Sequence, residues 1–114
     1  MKIQSTTQGD VNILELSGEL DYHSSPELRE KLGELTGKQA SKILMNLSGV
    51  DYMDSSGIAT FVEAFQKTKR YQGRLVLAEL TGTVRGVFEI AKLDSIFEIA
   101  PTVAEAMTRL GTKA

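Results

Sequence analysis

The 114 residues are enough for one domain with its own core, and 41% hydrophobic against 25% charged residues is the balance of a folded globular chain. A net charge of -2 excludes a global attraction to nucleic acid or anionic membrane, and the absence of cysteine excludes disulfides, thiol catalysis and thiolate metal sites. No apolar run approaches the ~20 residues of a membrane span, and Gln4, Gln8 and Asp10 do not make a secretion signal, so a single cytoplasmic domain over 1–114 is expected.

In chain order, Lys2 to Thr7 and Val11 to Leu16 read as two strands joined by a turn at Gln8-Gly9-Asp10. Gly18-Glu19-Leu20-Asp21-Tyr22-His23 reads as a loop into a helix. Ser24 with Glu27 fits a capping box, and Pro26 suits the first turn. Leu28, Leu32 and Leu35 mark the buried stripe of that helix and Gly37 its expected stop. Ile43 to Leu47 is a buried strand, followed by a short link through Gly49. A second helix then carries Ile58, Phe61, Val62 and Phe65 at the i, i+3, i+4, i+7 spacing, runs to about Tyr71, and stops at Gly73. Arg74 to Leu80 has strand character, and Val84, Val87, Phe88 and Ala91 mark a third helix. Ser95 to Ile99 reads as a short edge strand. Pro101-Thr102 with Glu105 opens a last helix bearing Val103, Ala106, Met107 and Leu110. Strands alternating with helices predict an α/β fold, a mixed and mostly parallel sheet opened by an antiparallel hairpin, with about four helices.

In such sheets the loops at the carboxyl ends of strands tend to carry function. One of them holds Met53-Asp54-Ser55-Ser56-Gly57, two hydroxyls where a strand hands over to a helix. The plain reading makes Ser55 or Ser56 the N-cap of that helix. The functional one makes a serine there a phosphate acceptor, because a helix N-terminus favours negative charge. The rest of the chain offers little other chemistry. The only histidine is His23, so a Ser-His-Asp triad or a histidine metal site would rest on it alone. Asp51 and Asp54 are two carboxylates without further ligands. Lys67, Lys69 and Arg70 suit a helix C-terminus rather than a nucleic-acid patch, and Phe61, Phe65 and Phe88 suit a core rather than base stacking. No phosphate-cradling glycine loop is present. With no nucleophile beside a base, the chain has the layout of a substrate rather than of an enzyme, and no cofactor or metal is expected.

Gly18-Glu19-Leu20-Asp21 before a helix, Asn46-Leu47 in a strand, and Tyr52-Met53-Asp54-Ser55-Ser56-Gly57-Ile58 together resemble the STAS domain family. Within it they are similar to the anti-sigma factor antagonists of bacterial partner-switching systems, essentially end to end. The resemblance implies a regulatory protein. Its unphosphorylated form would bind a serine kinase of the histidine-kinase-like ATPase fold that doubles as an anti-sigma factor, and so release the sigma factor. Phosphorylation of Ser55 would abolish binding, and a PP2C-type phosphatase would reverse it. Ser56 matches the neighbouring hydroxyl that supports the loop, and Asp21 an acidic residue beside it. Asp21, His23, Ser24, Asp54, Ser56 and Gly57 are the expected partner-binding residues, with no nucleic acid or membrane partner. Two departures concern which kinase is accepted: Gly57-Ile58-Ala59 stands where Gly-Leu-Gly is frequent, and Tyr22-His23 keeps only part of a histidine pattern. The alternative reading is a STAS scaffold or accessory subunit, of a stressosome or of a lipid-transport ATPase.

Overall fold

In the computed structural model, which describes residues 1–111, the elements are β1 (Lys2–Gln8), β2 (Val11–Leu20), α1 (Ser25–Gly37), β3 (Lys42–Met53), α2 (Ser55–Arg70), β4 (Arg74–Ala78), α3 (Gly82–Ile90), β5 (Glu98–Ala100) and α4 (Val103–Leu110). The last three residues of the expected 1–114 domain lie outside the described residues. The strands form one sheet in the order β1-β2-β3-β4-β5. β1 pairs antiparallel with β2, and every other pair is parallel. The expected hairpin-opened mixed sheet with four helices is therefore present.

Alternation along the strands sorts side chains to two faces. Leu14, Leu16, Ile43, Met45, Leu75 and Leu77 meet Leu28, Leu32 and Leu35 of α1, Phe61 and Ala64 of α2, and Val84 and Phe88 of α3 on one side. Val11, Ile13, Leu44, Val76 and Ala78 meet Ala106 and Leu110 of α4 on the other. Each large side chain fully withdrawn from water contributes about 1.5–3 kcal/mol, so the first face, with both Phe61 and Phe88 buried, is the main core. On α2 the centre of the buried face is Phe61 with Gly57, Thr60, Ala64 and Thr68, while Ile58, Val62 and Phe65 pack half-buried along its flank. Arg29 of α1 and Glu63 of α2 close the outer seam at 3.0 Å.

Several boundaries differ from expectation, and the largest difference builds the site. β2 continues to Leu20 and β3 to Met53, so Gly18-Glu19-Leu20 and the link through Gly49 are strand, not loop. β3 pairs with β4 only as far as Asn46↔Ala78, but with β2 as far as Leu20↔Met53. A two-stranded ribbon thus rises beyond the rest of the sheet, with register shifts near Ser17 and Gly18. Gly49 permits it: a Cβ there would lie 2.7 Å from Ser17 Cβ and 3.0 Å from the Leu16 carbonyl oxygen. The helix stops also move. Gly37 is the last residue of α1, and Gln39 beyond it takes the left-handed conformation (φ 56°). After α2 that conformation falls on Gln72 (φ 64°), not Gly73, which instead sits where a Cβ would strike the Tyr71 ring. β4 ends at Ala78, two residues early, and Ala91 lies exposed beyond α3. The last strand is Glu98–Ala100, not Ser95–Ile99. Phe97 just before it is buried against Phe65 and Phe88, with ring centroids 5.0 and 5.5 Å away.

Candidate phosphorylation site

The ribbon carries two chain reversals side by side: Asp21–Ser24 leads from β2 into α1, and Asp54 leads from β3 into α2. Asp54 is extended (φ -107°, ψ -172°) and caps α2, its Oδ1 accepting from the backbone N–H groups of Ser56 (2.9 Å) and Gly57 (3.2 Å). The expectation that a serine is the cap is thereby corrected. A carboxylate outcompetes a hydroxyl for two orphan donors at a positive helix end, and the serines become the first two helical residues. Ser55 is exposed, and its hydroxyl makes no hydrogen bond to the described residues. Ser56 is half-buried, and its carbonyl accepts from Thr60 Oγ1 at 3.0 Å. Gly57 lets α2 descend onto the ribbon, since a Cβ would fall 2.9 Å from both Leu20 Cγ and Met53 Cγ.

Asp54 also joins the two reversals. Its Oδ2 accepts from the Tyr22 N–H at 3.2 Å, and its own N–H donates to the Leu20 carbonyl at 3.1 Å. The carboxylate of Asp21 serves its own loop: Oδ1 accepts from His23 N–H (3.0 Å), Ser24 N–H (3.0 Å) and Ser24 Oγ (3.2 Å). These donors, Ser24 N–H foremost, stabilise the ionised form and hold Asp21 below its ordinary carboxylate value.

Ser24 begins α1 without capping it, so the expected Ser24–Glu27 box does not form. Its hydroxyl turns back into the loop, donating to the Glu19 carbonyl at 2.8 Å and accepting from the Asp21 N–H at 2.9 Å. The Ser25 hydroxyl donates to the Asp21 carbonyl at 2.6 Å instead. The loop is thus fixed by bonds between residues no more than five apart, which a capping pattern read from spacing cannot distinguish from a cap.

His23 is exposed, with its ring edge-on to Tyr22 at 5.7 Å. Among the described residues no group of three or more His, Cys, Asp or Glu side chains is placed to hold a metal ion, and Asp51 lies exposed on β3. Asp21, His23 and Ser24 are therefore brought beside Asp54, Ser56 and Gly57 through the Tyr22–Asp54 bond. Sequence reasoning passed over Tyr22 as a site residue. The residue is 75% exposed with its N–H on Asp54, and an aromatic in an otherwise polar loop was the available signal. It also missed Thr81, which caps α3 and donates its hydroxyl to the Val50 carbonyl at 2.9 Å, pinning the ribbon from the opposite side.

A model of the STAS domain family matches residues 2–106. The anti-sigma-B factor antagonist of Bacillus subtilis (strain 168) is 36% identical over 93 residues, covering 82% of this chain and 84% of that protein. Among solved structures, tm1081 of Thermotoga maritima matches with a TM-score of 0.90 at 25% identity, over 95% of this chain and 93% of that one. The anti-sigma factor antagonist SpoIIAA in its unphosphorylated form gives 0.81 at 28% identity over 96% of each chain. Its phosphorylated form, from Bacillus, gives 0.76 at 27% over 96% of this chain and 99% of that one. From the serine-bearing helix start to the sheet order that presents it, and on the match of a family model to all but the ends of the sequence, this chain belongs to the STAS domain family.

Proposed function

We propose that this chain is an anti-sigma factor antagonist, one STAS domain over 1–114, whose switch is phosphorylation of Ser55. Its unphosphorylated form binds a serine kinase of the histidine-kinase-like ATPase fold that is also the anti-sigma factor, and binding frees the sigma factor. The kinase phosphorylates Ser55, the complex separates, and a PP2C-type phosphatase restores the hydroxyl. The setting is the bacterial cytoplasm. The observation that carries this reading is the position of Ser55, an exposed hydroxyl on the first residue of α2 at the tip of the ribbon. The chain brings the hydroxyl, and the kinase brings ATP and the catalytic base. Around it, Asp21, His23, Ser24, Asp54, Ser56 and Gly57 form the partner surface, and we add Tyr22 to it. That SpoIIAA, a protein of the same fold, has been solved in both phosphorylated and unphosphorylated forms supports a fold able to carry the modification.

The physics favours a switch in affinity rather than in shape. A phosphate adds about -1.5 to -2 charges. The helix-end donors of Ser56 and Gly57 are already taken by the Asp54 carboxylate and that of Ile58 by the Asp54 carbonyl, so the added charge stays at the surface. Against a partner that desolvates the tip, like charge costs several kcal/mol, a weakening of about a hundredfold or more. The test is intact mass after incubation with ATP, magnesium and serine kinases of the histidine-kinase-like ATPase fold from the same genome. One phosphate, lost in Ser55→Ala and kept in Ser56→Ala, is the expected result. Phosphate on Ser56 would move the acceptor by one residue, and none with any such kinase would favour the scaffold or accessory-subunit reading.

A further inference from the structure

The two edges of the sheet are treated differently. β5 is three residues long, with Arg74 and Glu98 paired across it at 2.7 Å and α4 beside it. β1 is seven residues long, pairs with β2 in unbroken register from Lys2↔Ser17 to Gln8↔Val11, and has every residue but Ile3 exposed. An antiparallel edge strand turns the N–H and C=O of alternate residues outward, and natural edges are usually blunted by proline, charge or a bulge. From Ile3 to Gln8 this edge has none of these: its sequence is Ile-Gln-Ser-Thr-Thr-Gln.

Beside the edge runs a groove of about 290 Å³ floored by Ile3 and Ser5 and walled by Glu27, Glu30, Lys31 and Glu34 of α1. Three carboxylates thus face one ammonium, which is itself engaged with Glu34 at 3.5 Å. We propose that this edge and groove are a second binding surface, for an extended basic segment of a partner protein. The segment adds as a sixth strand along β1, and every second side chain, Lys or Arg, reaches over the edge to Glu27, Glu30 and Glu34. Backbone pairing supplies the affinity, and alternation selects the sequence. Charge argues against a second copy of this chain as the occupant. Two β1 strands joined edge to edge would bring two sets of the same three glutamates to one seam. The surface adjoins the Asp21–Ser24 loop through Glu27, which lines a cavity with Asp21, His23 and Ser24 as well, but its binding does not depend on the state of Ser55.

The test titrates the isotope-labelled full chain with a capped seven-residue peptide alternating Lys and Val, followed by amide NMR at low and at physiological salt. Shifts should concentrate on Ile3–Gln8 and on Glu27–Glu34, with slowed exchange of outward β1 amides. The triple variant Glu27→Gln, Glu30→Gln, Glu34→Gln, all exposed positions, should weaken binding tenfold or more. A Glu-Val peptide should not bind. The proposal is overturned by shifts that miss β1, by no shift at millimolar peptide, or by equal binding to the triple variant. Sedimentation of the chain alone showing a dimer with protected β1 amides would also overturn it, in favour of self-association.

Discussion

Asp54 performs two jobs with one carboxylate, capping α2 through Oδ1 and holding the Tyr22 N–H through Oδ2, and its substitutions separate them. In Asp54→Ala, α2 loses its cap, which costs about 1 kcal/mol within a range of 0.5–2. The Tyr22 N–H loses a charged acceptor at an exposed position, about 1 kcal/mol more. The Asp54 N–H bond to the Leu20 carbonyl is backbone and survives. A total of about 2 kcal/mol in a chain of this length lowers the melting temperature by roughly 8 °C. Asp54→Asn divides the effect. Its carbonyl oxygen can replace Oδ1 toward Ser56 and Gly57, but its amide NH2 then meets the Tyr22 N–H donor to donor. About half the loss is expected, roughly 4 °C, with the Tyr22 amide resonance moving in both variants and the Ser56 amide mainly in Asp54→Ala. Ser55→Ala, touching an exposed hydroxyl, is the control and should melt within about 2 °C of the parent. Differential scanning calorimetry with amide NMR checks all three. An Asp54→Ala protein melting within 2 °C of the parent would refute the cap argument, and identical losses in Ala and Asn would refute the division between the two oxygens.

Phosphorylation of Ser55, or Ser55→Asp as a weaker mimic, should leave the melt within a few degrees. A residual helix-end gain of about 0.3–1 kcal/mol opposes repulsion from Asp54, about 1.4 kcal/mol for a dianion at ~6 Å in water-like dielectric; a larger shift would mean the switch acts on the fold. The Asp21 carboxyl, followed by carbon NMR, should titrate below 3.8, and in Ser24→Ala its midpoint should rise only part of the way back, because the Ser24 N–H remains. A depressed carboxyl stabilises the native state above its unfolded value and loses that contribution as pH falls through its folded value, so the His23 and Ser24 amides, which donate to it, should broaden only in acid below that range. Two glycine substitutions should have opposite signs. Gly49→Ala, whose Cβ meets β2 backbone and Ser17, should destabilise by about 1–3 kcal/mol. Gly33→Ala, inside α1 with open space around its Cβ, should stabilise by up to about 1 kcal/mol in urea unfolding.

What could be read from the sequence was what depends on short-range pattern. Leu28, Leu32 and Leu35 recur at helical spacing, Ile43 to Leu47 is apolar throughout, and Thr102 accepts from the Glu105 N–H at 3.1 Å as the capping pattern of the last helix requires. What could not be read depends on tertiary pairing. Ser48-Gly49-Val50-Asp51 has the composition of a turn and becomes strand only because β2 pairs with it, and Gly49 is there for the closeness of that pairing. The same cause hid the end of β2. At the site, the structure brings Asp21, His23 and Ser24 beside Asp54, Ser56 and Gly57, but the division of labour among them was not legible. Ser, Asp and Asn all rank as caps, and only the three-dimensional overlap of two loops decides that Asp54 takes the helix donors, Ser24 the loop and Ser55 neither.

That division is what makes a switch at this position economical in structure. Were Ser55 the cap, phosphorylation would exchange one helix-end acceptor for another, and the chain would register the change in its own stability. With Asp54 holding the Ser56 and Gly57 N–H groups and the Tyr22 loop, the Ser55 hydroxyl has no structural duty to lose. The ribbon rises past the last β3–β4 pair and carries that hydroxyl clear of the sheet. New charge there meets water in the free protein and a desolvated surface only in a complex. Under the proposed function, the consequence of phosphorylation falls on binding because the fold has already assigned its own needs to Asp54. Removing that assignment should therefore couple the two. In Asp54→Ala, phosphorylation of Ser55 should raise the melting temperature, since the phosphate can then take the vacated helix donors. A melt of Asp54→Ala that phosphorylation leaves unchanged would show that the helix end does not receive charge at Ser55 at all.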